Sequence, residues 1–152
     1  MLVRLIIFLI INFAALGLGS YFTTDGVASE WYANLAKAPW TPPGWVFGAT
    51  WTLIMVCFSV YMAYAWEAFK NKGMLLTLFA IQWVLNVSWN FIFFDFHQIL
   101  VGLIVISSLT LLMVYFLTGF WSKLKTKSLL LIPYVVWLII ATSLNAYAFL
   151  YN

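Results

Sequence analysis

The sequence predicts an all-α membrane protein, a five transmembrane helix bundle with a long structured first extramembrane loop. Three observations predict it. Hydrophobic residues make up 66% of the chain and charged residues only 7%, against roughly a quarter charged in ordinary globular domains. A soluble fold of 152 residues has too little interior to hide that much apolar surface. Five apolar runs, at about 5–23, 45–66, 74–94, 99–121 and 129–150, approach the roughly 20 residues that a spanning helix needs. The whole chain, 1–152, reads as one domain.

The first run resembles a secretory leader at its start, because Arg4 precedes apolar residues and small residues follow. It nevertheless reaches full spanning length and four more runs follow, so it is expected to stay as the first helix. Its Asn12, Ala15 and Gly19 permit close helix approach. The segment 24–44 is anomalous, since connections of about 20 residues are usually lids, binding elements or disordered linkers. Its aromatic content argues against disorder. Ser29 suits an N-cap and Glu30 a first turn, while Lys37 suits the end of a short helix that Pro39 stops.

In the second run Trp51, Met55 and Ser59 share a face, and the pair Gly44 and Gly48 reads as helix packing. In the third, Gln82, Asn86 and Asn90 recur every four residues with Trp89 beside them. The fourth offers Gly102, Ser107 and Ser108, a hint of a dimer face. In the fifth, Trp137, Ala141 and Asn145 form a last stripe. Lys70–Gly73, Asp95–Gln98 and Ser122–Ser128 are tight links that make neighbouring helices antiparallel.

On this plan Arg4, Lys70, Lys72, Lys123, Lys125 and Lys127 fall on one side and only Lys37 on the other. The positive-inside rule then puts the N-terminus in the cytoplasm and the lid loop and C-terminus outside, as in a bacterial cytoplasmic membrane. The scattered basic residues behind the net charge of +3 make no nucleic-acid patch. One cysteine, Cys57, and one histidine, His97, supply neither a disulfide framework nor a typical metal centre, so no metal is expected. Asp25, Glu30, Glu67 and Asp95 all lie at or between run ends, which argues against ion-coupled transport.

Unpaired amides are costly in hydrocarbon, so the polar stripes must point into the bundle. Trp51, Asn86, Trp89, Asn90 and Asn145 fall in the outer half of the bilayer, with Gln82 and Trp137 nearer its middle. The aromatic loop emerges on that same side, which is the layout of a lidded pocket. The plainer alternative is that each asparagine makes only an interhelical hydrogen bond, worth about 0.6–2 kcal/mol. Trp66 and Trp121 read as interfacial anchors, and Trp40 and Trp45 fit either role. An indole-walled pocket with few amides suits a flat, polarisable ligand. A metal-free tetrapyrrole or a sterol-like lipid fits better than haem, for which no axial ligand is obvious.

The stretches "WYANLAKAPWTPPGWVFGATW", "LNVSWNFIFF" and "PYVVWLIIATSLNAY" resemble the tryptophan-rich sensory protein family, the bacterial branch of the translocator proteins once called peripheral benzodiazepine receptors. The resemblance covers essentially the whole chain. It implies a five-helix bundle, usually a homodimer, that binds protoporphyrin IX and isoquinoline carboxamide or benzodiazepine-type drugs. It carries Tyr32, Pro42, Trp51, Asn86, Trp89, Asn90, Trp137, Ala141 and Asn145 into the ligand pocket, with the porphyrin as ligand or substrate and no cofactor. It further implies light- and oxygen-dependent porphyrin degradation involving Trp51 and Trp137. Departures from the family pattern matter. "LNAYAFLYN" supplies Leu144 and Tyr147 of the animal sterol motif but no basic residue, a motif that is weak even when complete. Asn90-Phe91 stands where animal members carry two prolines, and His97 where they carry arginine.

The expected function is therefore a tetrapyrrole receptor regulating porphyrin levels. The alternatives are a passive transporter of porphyrins or lipids and a ligand-gated sensor or scaffold. No acid–base or nucleophile constellation supports conventional enzymatic turnover.

Overall fold

Each apolar run forms a helix. The computed structural model describes residues 1–152 and contains no strand. The long helices are α1 (Leu2–Val27), α3 (Gly44–Ala68), α4 (Lys72–Asn90), α5 (Ile99–Gly119) and α7 (Ile132–Tyr151). Between them lie two short ones, α2 (Glu30–Asn34) in the first loop and α6 (Trp121–Leu124) before a 3₁₀ stretch, Lys125–Leu131. Five helical stretches are long and apolar enough to cross a membrane.

The long helices form a ring in the order α1, α3, α7, α5, α4. Their inner faces meet in an aromatic core in which Phe58 packs edge-on to Tyr134 and Phe116. Two hydrogen bonds tie this core across helices: Tyr61 donates to the Phe116 carbonyl and Gln82 to the Tyr134 hydroxyl. Outer faces instead expose Ile10, Val84, Ile104, Leu111 and Ile139. An exposed aliphatic belt around a sealed core is the inside-out balance that lipid, not water, stabilises.

Arg4, Lys70, Lys72, Lys123, Lys125 and Lys127 gather at one end, here the basic end. Arg4 pairs there with Glu67. Lys72 donates to the carbonyls of Trp66 and Phe69, satisfying acceptors that a helix C-terminus leaves free. The first loop and the α4–α5 link occupy the other end, the loop end.

Two helix ends differ from the hydropathy reading. α1 continues to Val27 rather than stopping near residue 23. Hydropathy marks where the bilayer ends, whereas the helix runs on until the chain turns into the cap of the next one at Ser29. The connection is thus 28–43, and α2 lies inside it. After Asn90 the third span changes into a π-helical turn, Phe91–Asp95, in which Phe96 N–H reaches back five residues to the Phe91 carbonyl. The wider turn rotates Phe93 and Phe94 inward, where both are buried.

α1 keeps α4 as a neighbour along its length, with Phe8 edge-on to Phe79 and Trp83 Nε1 donating to the Ile11 carbonyl, whereas its bonds to α3 lie towards the basic end. Towards the basic end it is joined to α3, through Asn12 Nδ2 donating to Ser59 Oγ at 2.8 Å and through the Arg4–Glu67 pair. Towards the loop end it leans on α4 and the π turn. A Cβ at Gly19 would sit 2.9 Å from Asn90 Nδ2, and one at Gly26 only 2.4 Å from Phe94 Cβ. Thr23 Oγ1 donates to Asn90 Oδ1 at 2.8 Å. Gly44 and Gly48 on the facing part of α3 have open space beside them. The expectation that this pair packs helices is therefore corrected: α1 lies against α4 there and leaves them uncovered.

Candidate functional site

The loop is built to stay folded over the bundle. Ser29 Oγ accepts from the Tyr32 N–H, and Lys37 Nζ donates to the carbonyls of Tyr32, Ala33 and Leu35. Both ends of α2 are thus closed by side chains, as the residue types require. The Lys37 ammonium also lies 4.7 Å from the Tyr32 ring centre, a cation–π contact. Burial pushes the Tyr32 phenol above its ordinary pKa, because desolvation penalises the phenolate.

Three fastenings hold this lid. Trp31 stacks on His97 with ring centres 4.2 Å apart and meets Phe93 edge-on. Trp40 Nε1 donates to Ser143 Oγ, and its ring lies edge-on to Tyr147. The Asn152 amide pairs with the backbone of Ala36, accepting from its N–H at 2.8 Å and donating to its carbonyl at 3.3 Å.

One cavity lies beneath the lid and a second beside it. The lid cavity, about 60 Å³, is bounded by Tyr32, Leu35 and Thr41 above and by Phe93, Ala141 and Asn145 below. The side cavity, about 200 Å³, lies between α1, α3 and α4. Ala15, Gly19 and Thr23 line it from α1, Gly48, Trp51 and Met55 from α3, and Asn86 and Asn90 from α4. Phe47, Trp89 and Phe94 belong to both and form the partition.

The structure distributes the expected pocket residues over this pair. Tyr32, Ala141 and Asn145 border the lid cavity, and Trp51, Asn86 and Asn90 the side cavity. Trp89 touches both. Pro42 and Trp137 line neither. Trp137 is buried behind the partition, edge-on to Phe47 at 5.2 Å, and its Nε1 has no hydrogen-bond partner.

Their hydrogen bonds separate structural amides from free ones. Asn145 Oδ1 accepts from Trp89 Nε1 at 3.0 Å while Asn145 Nδ2 donates to the Ile99 carbonyl. Asn90 is engaged with Thr23 and with the Asn86 carbonyl. Asn86 is 6% exposed and borders the side cavity, and its side-chain amide makes no hydrogen bond to the protein. It is the amide free to meet a ligand.

Sequence reasoning missed Phe47, Phe93 and Phe94. Phe47 was findable, because it precedes Trp51 by one helical turn and extends the Trp51–Met55 stripe. Phe93 and Phe94 were not, since the π turn breaks the spacing that would have placed them.

The TspO/MBR family profile matches residues 6–150. Among similar proteins, the tryptophan-rich protein TspO of Archaeoglobus fulgidus is 36% identical over 135 residues, 88% of this chain and 87% of that protein. Protein CrtK of Rhodobacter capsulatus is 33% identical over 118 residues, 76% of this chain and 74% of its own. The human translocator protein is 33% identical over 135 residues, 84% of this chain and 77% of its own.

Proposed function

The chain belongs to the TspO/MBR family, a multi-pass membrane receptor or sensor, and on that premise we propose that its loop-covered site binds tetrapyrroles such as protoporphyrin IX. The observation that carries the reading is the wall shared by the two cavities: Trp89 and two phenylalanines, with Trp51 beside them and one free amide, Asn86. Ring faces supply stacking area for a planar ligand, and the amide supplies a single polar anchor. Isoquinoline carboxamides and benzodiazepine-type compounds share that chemistry.

Neither cavity alone reaches the roughly 300–1,000 Å³ usual for drug-sized ligands. The two together still fall short of it, so a macrocycle occupies both only with the Phe47 ring swung aside to widen them. Receptor occupancy of this kind regulates porphyrin level, and light and oxygen add degradation. An indole in van der Waals contact with a photo-excited porphyrin can donate an electron to it. Trp51, on the side-cavity wall, would meet the ligand directly, and Trp137, behind Phe47, only where that ring has moved.

The proposed orientation puts the basic end in the cytoplasm of a bacterial cell and the lid outside. A homodimer partner would pack on an outer face of α5, such as the exposed Val101, Ile104, Ser108 and Leu111. Gly102 is already filled by Asn145 and Phe93 of the same chain.

The test is titration of purified protein with protoporphyrin IX, following tryptophan quenching in the dark and porphyrin absorbance under illumination. Wild type should saturate. Trp51→Phe should keep most binding and lose most light-driven porphyrin decay, and Trp137→Phe should slow the decay less. Equal decay in all three proteins would end the electron-donor role, and no saturable quenching would end the receptor reading.

A further inference from the structure

We propose that planar ligands reach the site sideways from the bilayer, through the wedge between the loop-end halves of α1 and α3, rather than through the lid. The ligand's identity rests on the tetrapyrrole reading above; the wedge does not.

The wedge follows from α1 parting from α3 towards the loop end while it stays against α4 along its length. At Asn12–Ser59 the two helices are bonded. Beyond it, Gly19 and Gly26 let Asn90 and Phe94 approach so closely that α1 belongs to α4. α3 is left facing outward with Gly44 and Gly48, both exposed, and the side cavity fills the gap. Ser20 and Thr24, also exposed, form the opposite lip. The mouth therefore lies within about two turns of the outer end of α1, at the depth where amphipathic planar molecules collect in a bilayer.

The inner end points the same way. Asn86, more than nine-tenths buried and without a protein partner, faces the cavity. Asn90 is already engaged with Thr23 and with the Asn86 carbonyl, so the unbonded Asn86 amide calls for a polar group on whatever enters. The lid, by contrast, is fastened at Trp31, Trp40 and Ala36, so opening it breaks contacts at three separate places. A ligand class that suits this route is planar, partitions into the membrane and carries a polar edge.

The experiment uses the full chain in lipid vesicles. Stopped-flow quenching by protoporphyrin IX is compared for wild type, Gly48→Leu, Gly17→Leu and Asn152→Ala. A side chain at Gly48 meets open space at the mouth, and Gly17 is equally unobstructed but borders neither cavity. Gly48→Leu is expected to slow association by roughly tenfold, within the range seen for variants of one site, without faster dissociation, so that any rise in Kd comes from the slower entry. Gly17→Leu and Asn152→Ala are expected to match wild type. Unchanged rates in Gly48→Leu would overturn the proposal, as would weaker binding with faster dissociation, which marks competition for the site itself. Faster association in Asn152→Ala would make the lid the way in.

A second readout needs no tetrapyrrole. Phosphatidylcholine brominated near the ester should quench the exposed Trp40, Trp45 and Trp121 in every variant. Beyond that common part, a further quenched share of the ligand-free emission should be lost in Trp51→Phe and shrink in Gly48→Leu. No Trp51-dependent quenching would overturn the wedge as an opening to lipid, whatever the porphyrin result. Failure of porphyrin binding alone would overturn only the ligand.

Discussion

Asn145 accepts from the Trp89 indole and donates to the Ile99 carbonyl, whereas the Asn86 side chain, three residues before Trp89 on α4, bonds to no group of the protein. The two amides therefore give opposite predictions. Asn145→Leu strands a half-buried indole N–H and a carbonyl and should cost about 1–3 kcal/mol of stability, read as a lower unfolding temperature in detergent. Asn86→Leu removes an amide with no bond to lose, so stability should not fall while ligand affinity does. An equal stability loss in both would mean that Asn86 is structural. Tyr32 adds a pH dependence. Its raised pKa means that the closed lid holds the neutral phenol, so lid stability is complete below the ordinary phenol pKa of about 10 and falls as pH rises through the higher folded value. Hydrogen exchange of 30–41 should accelerate in that window, beyond the intrinsic rate change, and the extra acceleration should vanish in Tyr32→Phe. The spacing of Asn86, Asn90, Ala141 and Asn145 was legible because a helix repeats about every 3.6 residues. Which amide bonds to which indole was not, because that depends on how α4 and α7 are rotated against each other.

At the scale of elements, α2 shows what local chemistry can specify. Ser29 and Lys37 close its ends as their residue types lead one to expect, and both were readable from the loop's own sequence. The fastening of Ala36 by Asn152 joins residues 116 apart and had no local signal. Asn152→Ala should raise hydrogen exchange around Ala36 while the long helices keep their protection; unchanged exchange there would mean that Trp31 and Trp40 hold the lid unaided. The π turn was equally hidden, because it arises from packing of Phe93 and Phe94 under the loop and not from a breaker residue. The outer end of α1 was misplaced for a related reason: polar residues at 23–25 mark the interface, yet they continue the helix. Gly26→Ala tests that geometry, since its Cβ would collide with Phe94. Overpacking of this kind costs about 1–3 kcal/mol, and the loss should appear in thermal unfolding.

Across the whole molecule, composition and run length were enough for the five-span plan, because a chain with so few charges can bury its apolar surface only against lipid. The ring order α1, α3, α7, α5, α4 lay beyond that reading, for hydropathy says that helices are inserted and not which of them touch. The parting of α1 from α3 has a mechanical consequence. With Asn12–Ser59 as fulcrum, α1 is a lever whose short arm is held at Arg4–Glu67 and whose long arm bears on Phe94 through Gly26. Anything that fills the side cavity bears on Phe94, which is part of its wall and packs against α1 at Gly26, and Phe94 touches Tyr32 of the lid. Filling of a space inside the membrane is thereby converted into a force on the surface outside it.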